Sequence, residues 1–136
     1  MKKTLILCTG NSCRSQMAEG LIGNTFPEMR VYSAGTNPET VNPFAVKAMA
    51  EIGLDISSNI SNHANEYAHI DFDYVFTVCD NAKEICPIYP KAKQLIHHSF
   101  TDPADATGTE QEKLKVYVGV RDELANYFTS FFNDKN

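Results

Sequence analysis

The chain is organised around the polar loop Cys8-Thr9-Gly10-Asn11-Ser12-Cys13-Arg14-Ser15. The residues just before it, 3–7, contain the apolar run Leu5-Ile6-Leu7 and predict a short strand. From Arg14 onward, apolar residues recur at the spacing of one helix face, at Met17, Ala18, Leu21 and Ile22. The first candidate site is therefore a cysteine at the end of a strand, followed after a short loop by an arginine that opens a helix.

Strands and helices continue to alternate along the chain. Strands are predicted at 31–33, 74–78 and 95–96, and a helix is predicted to begin at Asn42-Pro43 and stop at Gly53. Residues 59–68 predict a short helix with loops, and the tail predicts a long helix capped by Thr109 and Glu112. Because such alternation is typical of parallel sheets, we expect a single α/β domain over residues 1–136, with a four-stranded parallel sheet flanked by helices.

Composition argues against several functional classes. The chain has 136 residues and a net charge of -5, whereas nucleic-acid binding requires a basic surface. No apolar run approaches the roughly 18 residues of a membrane span, and the N-terminal run is too short for a signal peptide. We expect a cytoplasmic monomer without nucleic-acid or membrane partners. Disulfides are rare in the cytoplasm, so the four cysteines are expected to be catalytic, metal-binding or inert.

The loop after the first strand has the properties of an oxyanion site. Its backbone N–H groups can surround a tetrahedral anion, and Gly10 is expected to supply the positive φ that such a loop requires. Arg14 can make a planar, two-pronged contact at the start of a helix. The same surroundings favour the thiolate of Cys8, which Ser15 could stabilise by a hydrogen bond. The residues predicted to bind the oxyanion are Thr9, Gly10, Asn11, Ser12, Cys13, Arg14 and Ser15.

Two other interpretations of this loop stay open. Cys8 could be a buried structural cysteine, since cysteine is common in protein cores. Cys8 and Cys13 also have a spacing that zinc ligands can adopt, although the sequence contains no Cys-x2-Cys pair. The histidines show no spacing typical of a metal site; they are His63, His69, His97 and His98. We predict neither a metal nor a cofactor.

The loop and the residues that follow it, Gln16-Met17-Ala18-Glu19-Gly20, resemble the active-site segment of the thioredoxin-coupled arsenate reductases. These enzymes share the fold of the low-molecular-weight protein tyrosine phosphatases. The resemblance implies that fold, an arsenate or phosphate-like oxyanion as ligand, and a thioredoxin-like protein as reductant. The loop alone does not separate reductases from phosphatases, because the pattern Cys-x5-Arg-Ser serves both groups.

A second segment, Cys79-Asp80-Asn81-Ala82-Lys83-Glu84-Ile85-Cys86-Pro87, separates the two groups. Phosphate ester hydrolysis is redox-neutral and needs one cysteine, whereas reduction of arsenate needs two electrons, which a thiol pair supplies by forming a disulfide. The topology brings Cys79 to the same sheet edge as Cys8. The segment resembles the redox loop of the reductases, which implies that Cys79 attacks Cys8 and that Cys86 completes an exported disulfide. The alternative is that Cys79 packs in the sheet and Cys86 is incidental.

Asp102, followed by Pro103 and Ala104, is the candidate acid, because a carboxyl group opposite the nucleophile can protonate a leaving oxygen. By itself Asp-Pro is more often a turn. The resemblance implies the acid, and the small Ala104 stands where phosphatases usually carry an aromatic residue. The main prediction is thus an arsenate reductase with Cys8, Arg14, Cys79, Cys86 and Asp102 as catalytic residues. The alternative is a phosphatase acting on phosphotyrosine or small phosphoesters.

The resemblance also concerns a cation site. Some relatives bind a monovalent cation with residues that match Asn11, Glu19 and Ser33, together with an aspartate. Asn62 stands at the place of that aspartate in this sequence. Without the carboxylate, we do not predict tight cation binding.

Overall fold

The first strand, β1 (Lys3–Cys8), is an inner strand of a four-stranded sheet. The computed structural model describes residues 2–79 and 92–134. On one side β1 pairs in parallel with β2 (Arg30–Gly35), and on the other it pairs in parallel with β3 (Phe72–Thr77). The last strand, β4 (Ala92–His97), pairs in parallel with β3, so the strand order is β2-β1-β3-β4. The predicted four-stranded parallel sheet is confirmed.

Three α-helices are present among the described residues: α1 (Arg14–Thr25), α2 (Pro43–Ala50) and α3 (Glu110–Asn133). Asn42 caps α2, since its Oδ1 accepts from the Phe44 N–H at 2.8 Å. Thr109 and Glu112 form the predicted capping box of α3. Short 3₁₀-helices occupy Ala64–Tyr67 and Pro103–Asp105.

The alternation of side chains along β1 divides the core into two clusters. Ile6 and Cys8 face a cluster built with α1, α2 and α3, whereas Leu5 and Leu7 face the opposite side of the sheet. There they pack against Phe72 and residues in and around the first 3₁₀-helix. Cys8 therefore enters the helix-covered side of the sheet directly from the end of β1.

The boundaries of some elements differ from the sequence predictions. β2 and β4 are longer than predicted, because pairing with a neighbouring strand extends them beyond their apolar residues. The helix predicted to run to Gly53 ends at Ala50, and the chain continues in turns to Gly53, which has a φ of 79°. Within residues 2–79 and 92–134, none of the helices combines the length and apolar character that crossing a bilayer requires.

Candidate active site

The loop between β1 and α1 turns at Asn11, not at Gly10. Asn11 has a φ of 50°, whereas Gly10 is not in the left-handed region, so the predicted role of Gly10 is wrong. Asparagine tolerates this conformation better than most residues. Gly10 is constrained instead by space, because an added Cβ would lie 3.2 Å from Ser12 Oγ and 3.4 Å from Glu39 Oε2.

Ser15 contacts the Cys8 thiol directly. The two side chains are both buried, and Cys8 Sγ lies 2.9 Å from Ser15 Oγ. Asn11 Nδ2 donates to Ser15 Oγ at 2.8 Å. Because Ser15 accepts this bond, its own O–H can point at Cys8 and donate to the sulfur. The predicted contact between Ser15 and Cys8 is thus present, and its polarity suits a thiolate.

The amide of Asn11 is held in one orientation. Its Oδ1 accepts from the backbone N–H of Asn62 at 2.8 Å and from Gln16 Nε2 at 3.2 Å. These two donors identify the oxygen side of the amide, so the Nδ2 side must face Ser15. Gln16 Nε2 also donates to the carbonyl of Asn11 at 3.1 Å. The loop is therefore fixed to α1 and to the segment before the first 3₁₀-helix.

Arg14 is buried and joins the loop to two other strand ends. Its Nη1 donates to the carbonyl of Phe100 at 3.2 Å and to that of Val78 at 3.5 Å. Its Nη2 lies 3.5 Å from Asp102 Oδ2. The other carboxyl oxygen of Asp102, Oδ1, accepts a hydrogen bond from the backbone N–H of Ala104 at 3.0 Å and thereby caps the second 3₁₀-helix. The arginine and the carboxyl group predicted as catalytic are therefore in contact.

These groups enclose a cavity of about 230 Å³. Of the residues predicted to bind an oxyanion, five line it: Thr9, Gly10, Ser12, Cys13 and Arg14. Cys8, Asp102 and Ala104 also line it, together with two residues that were not predicted from the sequence, Glu39 and Asp105. Asn11 and Ser15 do not line the cavity; their side chains lie behind the loop and support Cys8. A thiol, a guanidinium and a carboxyl group thus face one small polar space.

Cys79 follows the end of β3, the strand that pairs with β1, and lies close to the end of β1. Its thiol is fully buried, and Sγ lies 3.9 Å from the carbonyl oxygen of Leu7, the residue that precedes Cys8. The backbone N–H of Val78 donates to the same oxygen at 3.0 Å. Cys8 and Cys79 belong to the same core cluster. Cys86, the third cysteine of the predicted relay, lies outside the described residues.

Comparison with known proteins agrees with this geometry. The family model for low-molecular-weight phosphotyrosine protein phosphatases matches residues 3–130. The chain belongs to this phosphatase family. An arsenate reductase of Halalkalibacterium halodurans is 47% identical over 135 residues, which cover 96% of each chain. An arsenate reductase of Bacillus subtilis is 46% identical over 126 residues, covering 92% of this chain and 91% of that protein.

A solved structure described as an arsenate reductase in the phosphate binding state superposes with a TM-score of 0.83. It is 29% identical and covers 98% of both chains. The resemblance to arsenate reductases with a phosphatase-like fold is therefore confirmed. Within this phosphatase family, the curated relatives reported above are named as reductases.

Cys13, the other cysteine of the loop between β1 and α1, has different surroundings from Cys8. Burial raises the pKa of Cys13 to about 11, and a hydrogen bond from Ser12 opposes this only in part. Its sulfur lies 3.9 Å from the hydroxyl of Tyr117 on α3. Burial also raises the pKa of Tyr117. At neutral pH Cys13 is therefore a neutral thiol and a poor nucleophile.

Sequence reasoning missed Gly35 as a residue of the site. Gly35 ends β2, and an added Cβ would overlap the carbonyl oxygen of Thr9 and lie 2.9 Å from that of Cys8. Only glycine lets β2 approach the loop between β1 and α1 this closely. The sequence places Gly35 at the end of a predicted strand. It does not show that the backbone of Cys8 and Thr9 lies against this residue.

In the part of the chain that the structure describes, nothing supports the zinc alternative. Within the described ranges, no group of three or more histidine, cysteine, aspartate or glutamate side chains could hold a metal ion. Cys13 contacts Ser12 and Tyr117 instead.

Proposed function

We propose that this protein reduces arsenate to arsenite through a relay of three thiols, Cys8, Cys79 and Cys86, and that a thioredoxin-like protein regenerates it. The observation that carries the proposal is the position of Cys79. The thiol sulfur of this second cysteine lies 3.9 Å from the carbonyl oxygen that immediately precedes Cys8, just beyond the end of the adjacent parallel strand. Hydrolysis of a phosphoester has no use for this thiol, whereas a two-electron reduction requires one.

The first step joins sulfur to arsenic. Arsenate binds in the cavity, where backbone N–H groups of the loop and Arg14 offset its charge. The Cys8 thiolate, which receives the Ser15 hydrogen bond, attacks arsenic and forms a sulfur–arsenic bond. An arsenate oxygen leaves as water after Asp102 donates a proton to it. Arsenic remains in the +5 oxidation state at this stage, so no electrons have yet been transferred.

The second step transfers the electrons. A thiolate formed at Cys79 attacks the Cys8 sulfur, and the sulfur–arsenic bond breaks with its electron pair remaining on arsenic. Arsenic becomes +3 and leaves as arsenite, while the two thiols are oxidised to a Cys8–Cys79 disulfide.

The third step returns Cys8 to its thiolate form. Cys86 attacks Cys79, so the disulfide becomes Cys79–Cys86 and Cys8 is released. A dithiol protein of the thioredoxin class then supplies two electrons and two protons to reduce that disulfide. Because such reductants act where thiols are kept reduced, we propose that the protein works in the cytoplasm. We also propose that it functions as a monomer with a single domain, residues 1–136.

The test follows arsenate-dependent oxidation of NADPH in the presence of thioredoxin and thioredoxin reductase. The wild type is expected to turn over continuously. Cys86→Ser is expected to release at most one arsenite per chain and then stop with Cys8 and Cys79 joined, because the disulfide cannot move outward. Cys79→Ser is expected to release none. Continuous turnover by Cys86→Ser would refute the relay.

A phosphatase is the second candidate, favoured by the family model and by the joint presence of Cys8, Arg14 and Asp102 at one cavity. The small Ala104 lines this cavity, which leaves little surface there for an aryl group. Hydrolysis of p-nitrophenyl phosphate by a Cys79→Ser/Cys86→Ser double variant tests this candidate. If phosphate ester hydrolysis is the main activity, the double variant keeps its full rate and the wild type does not reduce arsenate. The same assay shows whether the anion cavity survives the two substitutions.

A further inference from the structure

We propose that Glu39 is a charge-selectivity residue of the oxyanion cavity, whose carboxylate weakens the binding of doubly charged anions more than that of singly charged anions. The inference deepens the proposed function, on whose oxyanion cavity it rests. Glu39 was not identified from the sequence, and it lies on the loop between β2 and α2, far from the cysteines in sequence.

The charges around the cavity are predominantly negative. Among the described residues that line it, Arg14 is the only cationic side chain. Part of its charge is offset by Asp102 at 3.5 Å. The titratable groups that face the cavity come from several parts of the fold. Cys8 ends β1, Cys13 and Arg14 lie where α1 begins, and Glu39 lies on the loop between β2 and α2. Asp102 caps the second 3₁₀-helix, and Asp105 ends it. An entering anion therefore meets carboxylates as well as donors.

Glu39 is attached to the oxyanion loop by its own backbone. Its N–H donates to the carbonyl of Gly10 at 2.8 Å, and its carbonyl accepts from the hydroxyl of Ser61. Its Oε2 lies only 3.4 Å from the point that a Cβ on Gly10 would occupy. The carboxylate thus lies against the loop and at the cavity wall, although the residue as a whole is exposed.

This position has a graded effect on anions of different charge. The repulsion between Glu39 and a bound anion is proportional to the charge of that anion. Arsenate and phosphate lose their second proton near neutral pH, so both forms are present there. Backbone N–H groups and Arg14 attract the doubly charged form more strongly as well, and Glu39 offsets part of this gain because it opposes that form about twice as strongly. Removing the charge of Glu39 is therefore expected to raise the affinity for doubly charged anions most.

The experiment measures binding of inorganic anions by titration calorimetry at low ionic strength. Sulfate is doubly charged at mildly acidic and neutral pH, and phosphate at mildly acidic pH is singly charged. Glu39→Gln is expected to raise sulfate affinity by about threefold to tenfold, estimated for a partly solvated charge pair. On a logarithmic scale, the gain for singly charged phosphate should be about half as large. Glu39→Lys should extend both gains, and added salt should reduce them.

Glu123→Gln is the matched control, because Glu123 is an exposed carboxylate on α3 that does not line the cavity. It removes the same charge and is expected to leave both affinities within the experimental error of the wild type. Equal gains for sulfate and singly charged phosphate, gains that salt does not reduce, or a Glu39→Gln effect no larger than that of the control would each overturn the proposal. Because the assay requires no arsenate reduction, its failure is distinguishable from failure of the proposed reductase activity.

Discussion

The oxyanion loop has two faces with different functions. On its inner face, Cys8, Gly10 and Ser12 line the cavity, and chemistry is proposed to occur there. On its outer face, Asn11 and Ser15 are buried and form hydrogen bonds that end at the Cys8 sulfur. Some residues of this loop thus line the cavity, whereas others form the hydrogen bonds that stabilise the loop. The difference shows that a loop motif in a sequence specifies a support as well as a binding surface.

The largest effect is expected for Gly35→Ala, because Gly35 lies against the backbone that supports the loop. The added Cβ would overlap the carbonyl oxygen of Thr9, so β2 or the loop must shift. We expect a loss of about 3 kcal/mol in the free energy of unfolding, as for severe overpacking, together with loss of sulfate binding. Urea denaturation and calorimetry measure the two effects.

Gly23→Ala is the matched control for that change. Gly23 lies within α1, and an added Cβ would meet nothing within 4 Å. Alanine is the better helix former, so we expect this variant to gain up to about 1 kcal/mol. Equal destabilisation by both substitutions would contradict the close approach of β2 to the loop.

Asn11→Ala is expected to have the next largest effect. It removes the donor to Ser15 and the acceptor for Asn62, and it places alanine at a φ of 50°. We expect a loss of about 2–3 kcal/mol in the free energy of unfolding. Cys8 should also react more slowly with iodoacetamide, because Ser15 is no longer oriented toward the sulfur. Asn37→Ala, at an exposed position near the same loop, should change neither quantity.

The sequence was sufficient to predict the sheet, the loop and the two neighbouring cysteine positions. These features follow from local patterns, such as apolar runs, caps and the rule that parallel strands end at one edge. It was not sufficient for Gly35 or Glu39, since their roles depend on backbone from distant segments that approach the loop only in the folded chain. It also assigned the positive φ to Gly10, whereas the hydrogen bonds of the Asn11 side chain place it one residue later.

Cys13, which also lines the cavity, gives a prediction on pH. The folded protein raises the pKa of Cys13 from 9.0 to about 11, chiefly by burial. Unfolding therefore releases a proton between these two values, and stability is lost as the pH rises through this range. Cys13→Ala should flatten the decline by about 1–2 kcal/mol, estimated from the size of the shift. The measurement is urea unfolding at several pH values.

The control for this pH effect is Tyr127→Phe. The pKa of Tyr127 is also raised by burial, but its ordinary value is 10.0, so its contribution begins at higher pH than that of Cys13. Between the ordinary pKa values of Cys13 and Tyr127, only Cys13→Ala should change the slope. An unchanged slope in that variant would mean that Cys13 ionises in the folded protein as it does in the unfolded chain.

The smallest expected effect comes from Thr109→Ala, which tests whether the support of the loop is local. Thr109 Oγ1 accepts from the Glu112 N–H at 3.1 Å at the start of α3, away from the cavity lining. Loss of this cap should cost about 1 kcal/mol, while exposed Thr107→Ala should cost nothing measurable. Neither variant should change the sulfate affinity or the alkylation rate of Cys8. If Thr109→Ala lowered both as Asn11→Ala does, general stability and not the hydrogen bonds of the outer face would control the loop.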